Sequence, residues 1–561
     1  MRSESSRRTF IASLAAMLAP LSANAATEPL CPTDPSISDP SAPLTIDTHA
    51  HFFNGSDLQI RAFLSGTAVG KDSELYPLVN AMGSVLQTLG WHLAPSAKDE
   101  MRAIASYAAS LKNCASPVEA RTVAMPSFQE GYAIGSDQLR TAAEVLYQAP
   151  SGASVLGPKG SRTGLGAVID DLPKTYDEYE QRRNSGASVM GSHPTLSGYV
   201  RFILHNFNHR HVNAIDYLTT YSKNSPRKID LVVSSMVDYD WWLAKGKSTP
   251  TSLSEQVDLM AEISILLGGR MHGFVSFCPF REAMTIGSDG MGDSLRLVKK
   301  AVETRGFIGV KLYPPMGFAP LGNKGLKVWK GKPGLPAAAA DPDFGKRLDA
   351  AMRSLFAYCL ANEVPIMAHT NHSNGPWEDF KALAGSQYWS LALQAFPGLR
   401  VSFGHFGDTD LEDHGGAKTR EFLKLISPTS GSAGANTYAD SSYFAGVLTN
   451  QTKISQTLQA LYAASDNNVL FERLMYGTDW TMILPQRNVD RYLSDFTDVM
   501  RRIEKDQPSI TARQTSLSNA FFGKNAVQYL GLAAGQPNRR RLETFYALNK
   551  VPEPDWMQKL G

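Results

Sequence analysis

A (β/α)₈ barrel, an α/β fold of the TIM-barrel class, with a large, mostly helical insertion after its first strand is what this sequence predicts. Three observations predict it. Short apolar runs alternate with helical patterns from Lys228 onward, the runs number eight once Leu44 to Phe53 is included, and each holds few charges. Parallel strands covered on both faces have that look. The bulk composition agrees: 561 residues, 43% hydrophobic and only 19% charged, can bury a large core, which excludes a disordered or collagen-like chain.

Taken in order, the runs are Leu44 to Phe53, Ile229 to Val237, Met271 to Phe277, Phe307 to Tyr313, Val364 to His369, Leu399 to His405, Tyr438 to Val447 and Leu474 to Thr478. Eight strands close a barrel. Between them, Ser252 and Glu255 form a capping box ahead of a stripe (Val257, Met260, Ile263, Leu266, Leu267) that stops at Gly268-Gly269. A second helix runs from near Asp293 to Gly306, and Leu348, Met352, Leu355, Phe356, Cys359 and Leu360 repeat with helical period before the fifth run.

Residues 54–227 are too many for a connecting loop and form an insertion with structure of its own. Helical patterns occupy Leu75 to Leu93, Asp99 to Lys112 and Ser197 to Tyr221, around a Gly/Ser-rich middle. The two similar heptads at 151–157 and 185–191 are too few for a repeat architecture. An insertion after a barrel strand emerges on the face that carries such barrels' active sites, where it can cap the site. The barrel itself takes residues 26–53 and 228–532. Residues 533–561 read as a polar tail on the outside, with Arg539-Arg540-Arg541 solvated.

The N-terminus reads as an address. Ser6-Arg7-Arg8-Thr9-Phe10-Ile11 precedes an uncharged run from Ala12 to Leu21 and the small-residue sequence Ala23-Asn24-Ala25. This resembles a twin-arginine export signal over residues 1–25, which implies passage through the twin-arginine machinery, cleavage near Ala25 and a periplasmic mature protein. The apolar run is far short of the ~20 residues a membrane span needs, so no stable membrane insertion is expected. Removing the signal's three arginines and one glutamate from 55 basic and 53 acidic residues leaves 52 of each, a balance that does not draw nucleic acid. Four cysteines without C-x-x-C spacing exclude a disulfide framework or thiolate metal site. The absence of G-x-S-x-G, a P-loop and G-x-G-x-x-G after a strand argues against serine hydrolase and nucleotide-binding chemistry.

The strand ends carry the chemistry. His49 and His51 in Thr48-His49-Ala50-His51 leave one face of a strand, because side chains alternate with period two. His369 and His405 end the fifth and sixth runs, and Asp479 follows Tyr476-Gly477-Thr478 after the eighth. A single such residue is most often a satisfied core group or a cap. Four strands ending this way have a common cause, and nitrogen and oxygen donors without thiolates suit Zn²⁺ or a similar divalent ion.

This pattern resembles the amidohydrolase superfamily, over residues 44–53 and 228–532. Gly404-His405-Phe406-Gly407, Gly477-Thr478-Asp479-Trp480 and Asn519-Ala520-Phe521-Phe522-Gly523-Lys524-Asn525-Ala526 look most like its amidohydrolase-related branch, which holds both hydrolases and non-oxidative decarboxylases. Lys311, in Gly309-Val310-Lys311-Leu312-Tyr313-Pro314, is similar to a lysine that is carboxylated and bridges two metals in dihydroorotases. Two schemes follow from the resemblance. In one, His49, His51 and Asp479 bind one ion, His369 and His405 a second, and Lys311 bridges; in the other, His49, His51, His369 and Asp479 hold a single ion, His405 is a free catalytic group and Lys311 binds a substrate anion. Either way the ion activates water and Asp479 shuttles the proton.

His205 and His209 share a helical face with His211 nearby, but without H-E-x-x-H register they read as packing or solvent-facing residues. Arg281, His372 and Trp480 are the expected substrate contacts. Arg281, or a lysine from Lys324, Lys327, Lys330 and Lys332, would favour a carboxylate-bearing substrate, and Trp241, Trp242 and Trp480 would supply an apolar wall. The expected activity is hydrolysis of a small carbonyl compound, an amide, lactone or ester-like bond. A metal-dependent decarboxylase on the same scaffold and a non-catalytic exported metal-containing binding protein are the alternatives.

Overall fold

Eight short strands are hydrogen-bonded in sequence order, every neighbouring pair parallel: β1 (Ile46–Ala50), β2 (Leu231–Ser235), β3 (Met271–Ser276), β4 (Gly309–Leu312), β5 (Ile366–His369), β6 (Val401–Gly404), β7 (Thr437–Asp440) and β8 (Leu474–Met475). The ring closes where the Thr48 N–H donates to the Tyr476 carbonyl at 3.0 Å and Ala50 bridges to Trp480. All strand residues are buried, which is why they read as apolar runs. This computed structural model describes residues 39–59, parts of 62–223, and 225–560 except 333, 373–374, 409–410, 412–415, 428–432 and 508–515. The expected export signal, both glycine-containing heptads and most of Leu75 to Leu93 lie outside the described residues. No helix among those described is long and apolar enough to cross a membrane.

The strands are shorter than the apolar runs, most of all β7, expected to reach Val447 but ending at Asp440. Beyond it the Ser441 to Tyr443 turn, with Tyr443 at φ 59°, breaks the ladder although the composition stays apolar. The capping box forms as expected. Ser252 Oγ accepts from the Glu255 N–H, Glu255 returns a carboxylate to the Ser252 N–H, and the helix runs Leu253–Leu266.

The C-terminal segment corrects the expectation of a polar outer tail. Pro537–Asn549 is a helix whose Leu542, Phe545 and Tyr546 fall at i, i+3 and i+4; with Trp556 and Met557 they join one apolar cluster with Ile46, Leu231 and Ile308. The arginine run masks that stripe in the sequence. Arg539 itself pairs with Glu543 and Glu553. The segment is tied to the barrel through His272 on β3. Its Nδ1 donates to the Gly306 carbonyl at 2.8 Å and its Nε2 accepts from the Tyr546 hydroxyl.

Burial lowers the His272 pKa to about 4. The folded chain therefore leaves His272 neutral at a pH where the unfolded chain protonates it. Its contribution to stability is complete above the ordinary value near 6.5 and is lost as pH falls toward 4, at up to ~1.4 kcal/mol per pH unit. Urea midpoints measured from pH 7 to 4 should fall less steeply for His272→Gln than for the wild type; parallel slopes would contradict this.

A buried ion cluster ties the start of the insertion to two of its helices. Arg210, at the start of helix Arg210–Lys223, contacts Asp57 Oδ1 and Glu100 Oε1, each at 3.0 Å, and its backbone N–H donates to Glu100 Oε2 at 2.6 Å. Asp57 lies just past β1, and Glu100 lies on the insertion helix Ala97–Leu111, which packs against Leu253–Leu266.

Candidate metal centre

β1 delivers both histidines of its H-x-H pair to one carboxylate. His51 Nε2 lies 3.4 Å and His49 Nε2 3.7 Å from Asp479 Oδ1, and a ligand atom from each of the three residues falls within 4.8 Å of the others. All three are buried. Asp479 reaches this position by a backbone at φ 59°, with its N–H donating to the His49 carbonyl at 2.7 Å. His405 and Phe406 also stand at positive φ, 63° and 45°. Such values are uncommon for non-glycine residues and persist where surrounding contacts over-determine them. Gly404 answers a different constraint, since a Cβ there would come within 2.8 Å of the Ala368 carbonyl oxygen and 3.1 Å of the His49 ring.

Hydrogen bonds behind the rings set their tautomers. His51 Nδ1 donates to the Ser235 carbonyl at 2.8 Å, and His405 Nδ1 donates to the Ser442 carbonyl at 3.1 Å, because a carbonyl only accepts. His49 Nδ1 faces Ser442 Oγ at 2.8 Å and both Asp440 oxygens at 3.3 Å, while Ser442 Oγ gives its own hydrogen to Asp440. His49 Nδ1 is thus also a donor. His405 Nε2 is then left as a lone pair that accepts from His369 Nδ1 at 3.0 Å, which puts the His369 lone pair on Nε2, a buried atom with no hydrogen-bond partner. Three Nε2 lone pairs, of His49, His51 and His369, are therefore oriented from behind. Metal-binding imidazoles are prepared in this way.

Burial holds His49, His51 and His369 well below the ordinary imidazole range, reinforced by Lys311 and by neighbouring histidines, and brings His405 to about 4. Neutral imidazole is the metal-binding form. Burial also pushes Asp479 well up, against the pull of Lys311, and lowers Lys311 to about 8. Lys311 Nζ lies 3.1 Å from His49 Nε2 and 2.9 Å from Met367 Sδ. The donor set fits a divalent ion: two imidazoles and a carboxylate converge, and a further imidazole nitrogen is buried without a partner.

The structure thus gathers His49, His51, Lys311, His369, His405 and Asp479. The expected substrate residues fare differently. Arg281 is committed elsewhere: its Nε and Nη2 donate to Asp238 at 2.7 and 2.9 Å, and Nη2 to Asp240 at 2.8 Å. Trp480 is fully buried against Tyr217, Tyr221 and His205, in the seam between barrel and insertion. His372 lies on the loop after β5 with Lys418, Glu421, Asp408 and Glu378 as its charged neighbours. Lys332 pairs with Asp379 at 2.7 Å. His205 is paired with Asp216 at 3.6 Å, and His209 and His211 are buried.

A small cavity lies beside Lys311. Trp242, Ser276, Cys278, Tyr313, Met316 and Phe318 are among its lining residues. Trp242 Nε1 and Ser276 Oγ are buried there without hydrogen-bond partners. Asp440, Ser442 and Ser235, the residues that orient the histidines, were missed in the sequence. Asp440 ends β7 with a carboxylate, but the apolar run continues to Val447 in the sequence and hides that end; Ser235 acts through its backbone and left no side-chain signal.

Residues 281–532 match the amidohydrolase family model. Comparison with curated proteins finds no match. Among solved structures the chain is similar to a protein assigned as a 2-pyrone-4,6-dicarboxylic acid hydrolase from Pseudomonas putida (14% identity over 56% of this chain and 86% of that one, TM-score 0.31). It is similar also to an amidohydrolase from Burkholderia multivorans with bound zinc (13%, 54% and 83%, TM-score 0.31). A third is the 5-carboxyvanillate decarboxylase of Novosphingobium aromaticivorans with bound manganese (13%, 63% and 92%, TM-score 0.32).

Proposed function

We propose that this chain, whose residues 281–532 match the amidohydrolase family model, is a metal-dependent hydrolase of a small carbonyl compound, exported by the twin-arginine route to the periplasm. The observation that carries the metal site is the convergence of His49, His51 and Asp479, with a hydrogen-bonded Nδ1 behind each imidazole. These residues would hold one ion, zinc by the chemistry of the donors, with His369 Nε2 as a further ligand. His405, its Nε2 engaged by His369, holds that ring in place; this arrangement favours one ion over two.

A bound ion would lower the pKa of water from about 15.7 to about 7 and polarise a carbonyl oxygen. Asp479 takes a proton from the attacking water as its oxygen bonds to the carbonyl carbon, then delivers that proton to the departing nitrogen or oxygen as the acyl bond breaks. Lys311, at the edge of the cavity, binds an anionic group of the substrate. Tyr313, stacked on His369 at 4.2 Å, provides the adjoining wall.

The test is elemental and product analysis of protein purified from the periplasm, with the N-terminal mass reporting cleavage near Ala25. One zinc per chain and water-incorporated products from a panel of amides, lactones and esters are expected, with activity lost on chelation and restored by zinc. Two ions per chain would instead support a carboxylated Lys311 bridge. Release of CO₂ without water uptake would replace hydrolysis by decarboxylation, and a metal-free wild type would remove the proposal.

A further inference from the structure

The Asp47 carboxylate lies beneath the metal centre and accepts four hydrogen bonds. Oδ1 accepts from the backbone N–H groups of His49 at 3.0 Å and Thr478 at 3.1 Å; Oδ2 accepts from the hydroxyls of Thr478 at 2.6 Å and Tyr217 at 2.5 Å. Asp47 is fully buried, so water does not replace a lost donor. Two of these bonds come from the residue immediately before Asp479, and one from His49 itself. A single carboxylate thereby sets the spacing between the two arms of the metal site, β1 and the turn after β8.

Tyr217 is the one donor of the four that comes from outside the barrel strands and their turns. It sits on helix Arg210–Lys223, whose first residue is locked to Asp57 and Glu100, and its ring is fully buried against Trp480, Tyr221 and Phe52. We propose that Tyr217 is a positioning residue of the metal centre, acting through Asp47, so that the insertion is part of the site and not only its cover. This rests on the metal-dependent reading above. Without the hydroxyl, Asp47 loses a buried partner and turns toward its remaining donors, Thr478 among them. Asp479, held at a positive φ by such contacts, then shifts relative to His49 and His51. Removing a hydrogen bond behind a metal site typically weakens metal binding by about 10–100-fold.

The experiment is zinc competition against a chromophoric chelator, using the full mature chain. Tyr217→Phe keeps the ring and loses the hydroxyl. Tyr221→Phe is the control from the same helix and aromatic cluster, since its hydroxyl donates to the Val489 carbonyl at 3.3 Å and not to Asp47. Tyr217→Phe should bind zinc at least about tenfold more weakly than wild type, and Tyr221→Phe within about threefold of it. Should Tyr217→Phe not fold, Thr478→Val carries the test: it removes another Asp47 partner and should weaken zinc similarly, while Thr478→Ser restores affinity. Wild-type zinc affinity in Tyr217→Phe, or in Thr478→Val if that variant must stand in, overturns the role of Tyr217 alone. A wild type that binds no zinc overturns the functional reading together with it.

Discussion

Asp479→Asn is expected to lower kcat by about 10²–10⁴-fold, the range general acid–base groups contribute, while most of the bound metal is retained. The substitution preserves volume and one oxygen donor. It preserves the backbone as well, because asparagine is among the residues that best tolerate the φ of 59° at this position, and the N–H bond to the His49 carbonyl does not depend on the side chain. What disappears is the anion that accepts a proton. Steady-state kinetics beside metal analysis of the same preparation separates the possibilities. Turnover within about threefold of wild type would remove Asp479 from the mechanism, and a chain that merely binds its ligand would keep affinity unchanged in this variant.

Arg210→Leu is expected to destabilise the fold by about 3–5 kcal/mol, the cost of leaving buried charge without its partner. Asp57 and Glu100 are both buried, and burial raises them to about 6 and about 7 against the pull of Arg210. Carboxyls raised above their unfolded values favour the fold at low pH and cost stability as pH rises through the folded values. Without Arg210 that cost grows, so the deficit should be largest near pH 8 and shrink toward pH 5, where protonation removes the uncompensated charges. Urea unfolding at both pH values measures it. A deficit below about 1 kcal/mol at pH 8 would show that the cluster does not hold these parts of the insertion together.

The candidate metal site was legible because its residues occupy strand ends. Parallel strands buried on both faces are nearly uniform in composition, so a histidine or carboxylate at the end of one stands out, and the same regularity brings the ends of distant strands to one mouth. His49 and Asp479 are 430 positions apart yet share a site for this reason. The substrate contacts had no comparable signal. Arg281 follows β3 as a pocket cation would, but Asp238 and Asp240 follow β2 beside it, and only adjacency in space turns the three into an internal ion cluster. Trp480 follows a predicted ligand and faces the insertion instead.

By itself the sequence determined the barrel, its insertion and the set of candidate ligands, because burial imposes apolar runs and a catalytic mouth imposes polar strand ends. The tertiary structure alone decided which nitrogens face the centre, where Arg281 spends its donors, and that Tyr217 reaches Asp47 from 170 positions away. Such pairings depend on hydrogen-bond directions between segments remote in the chain, and no local period or spacing encodes them.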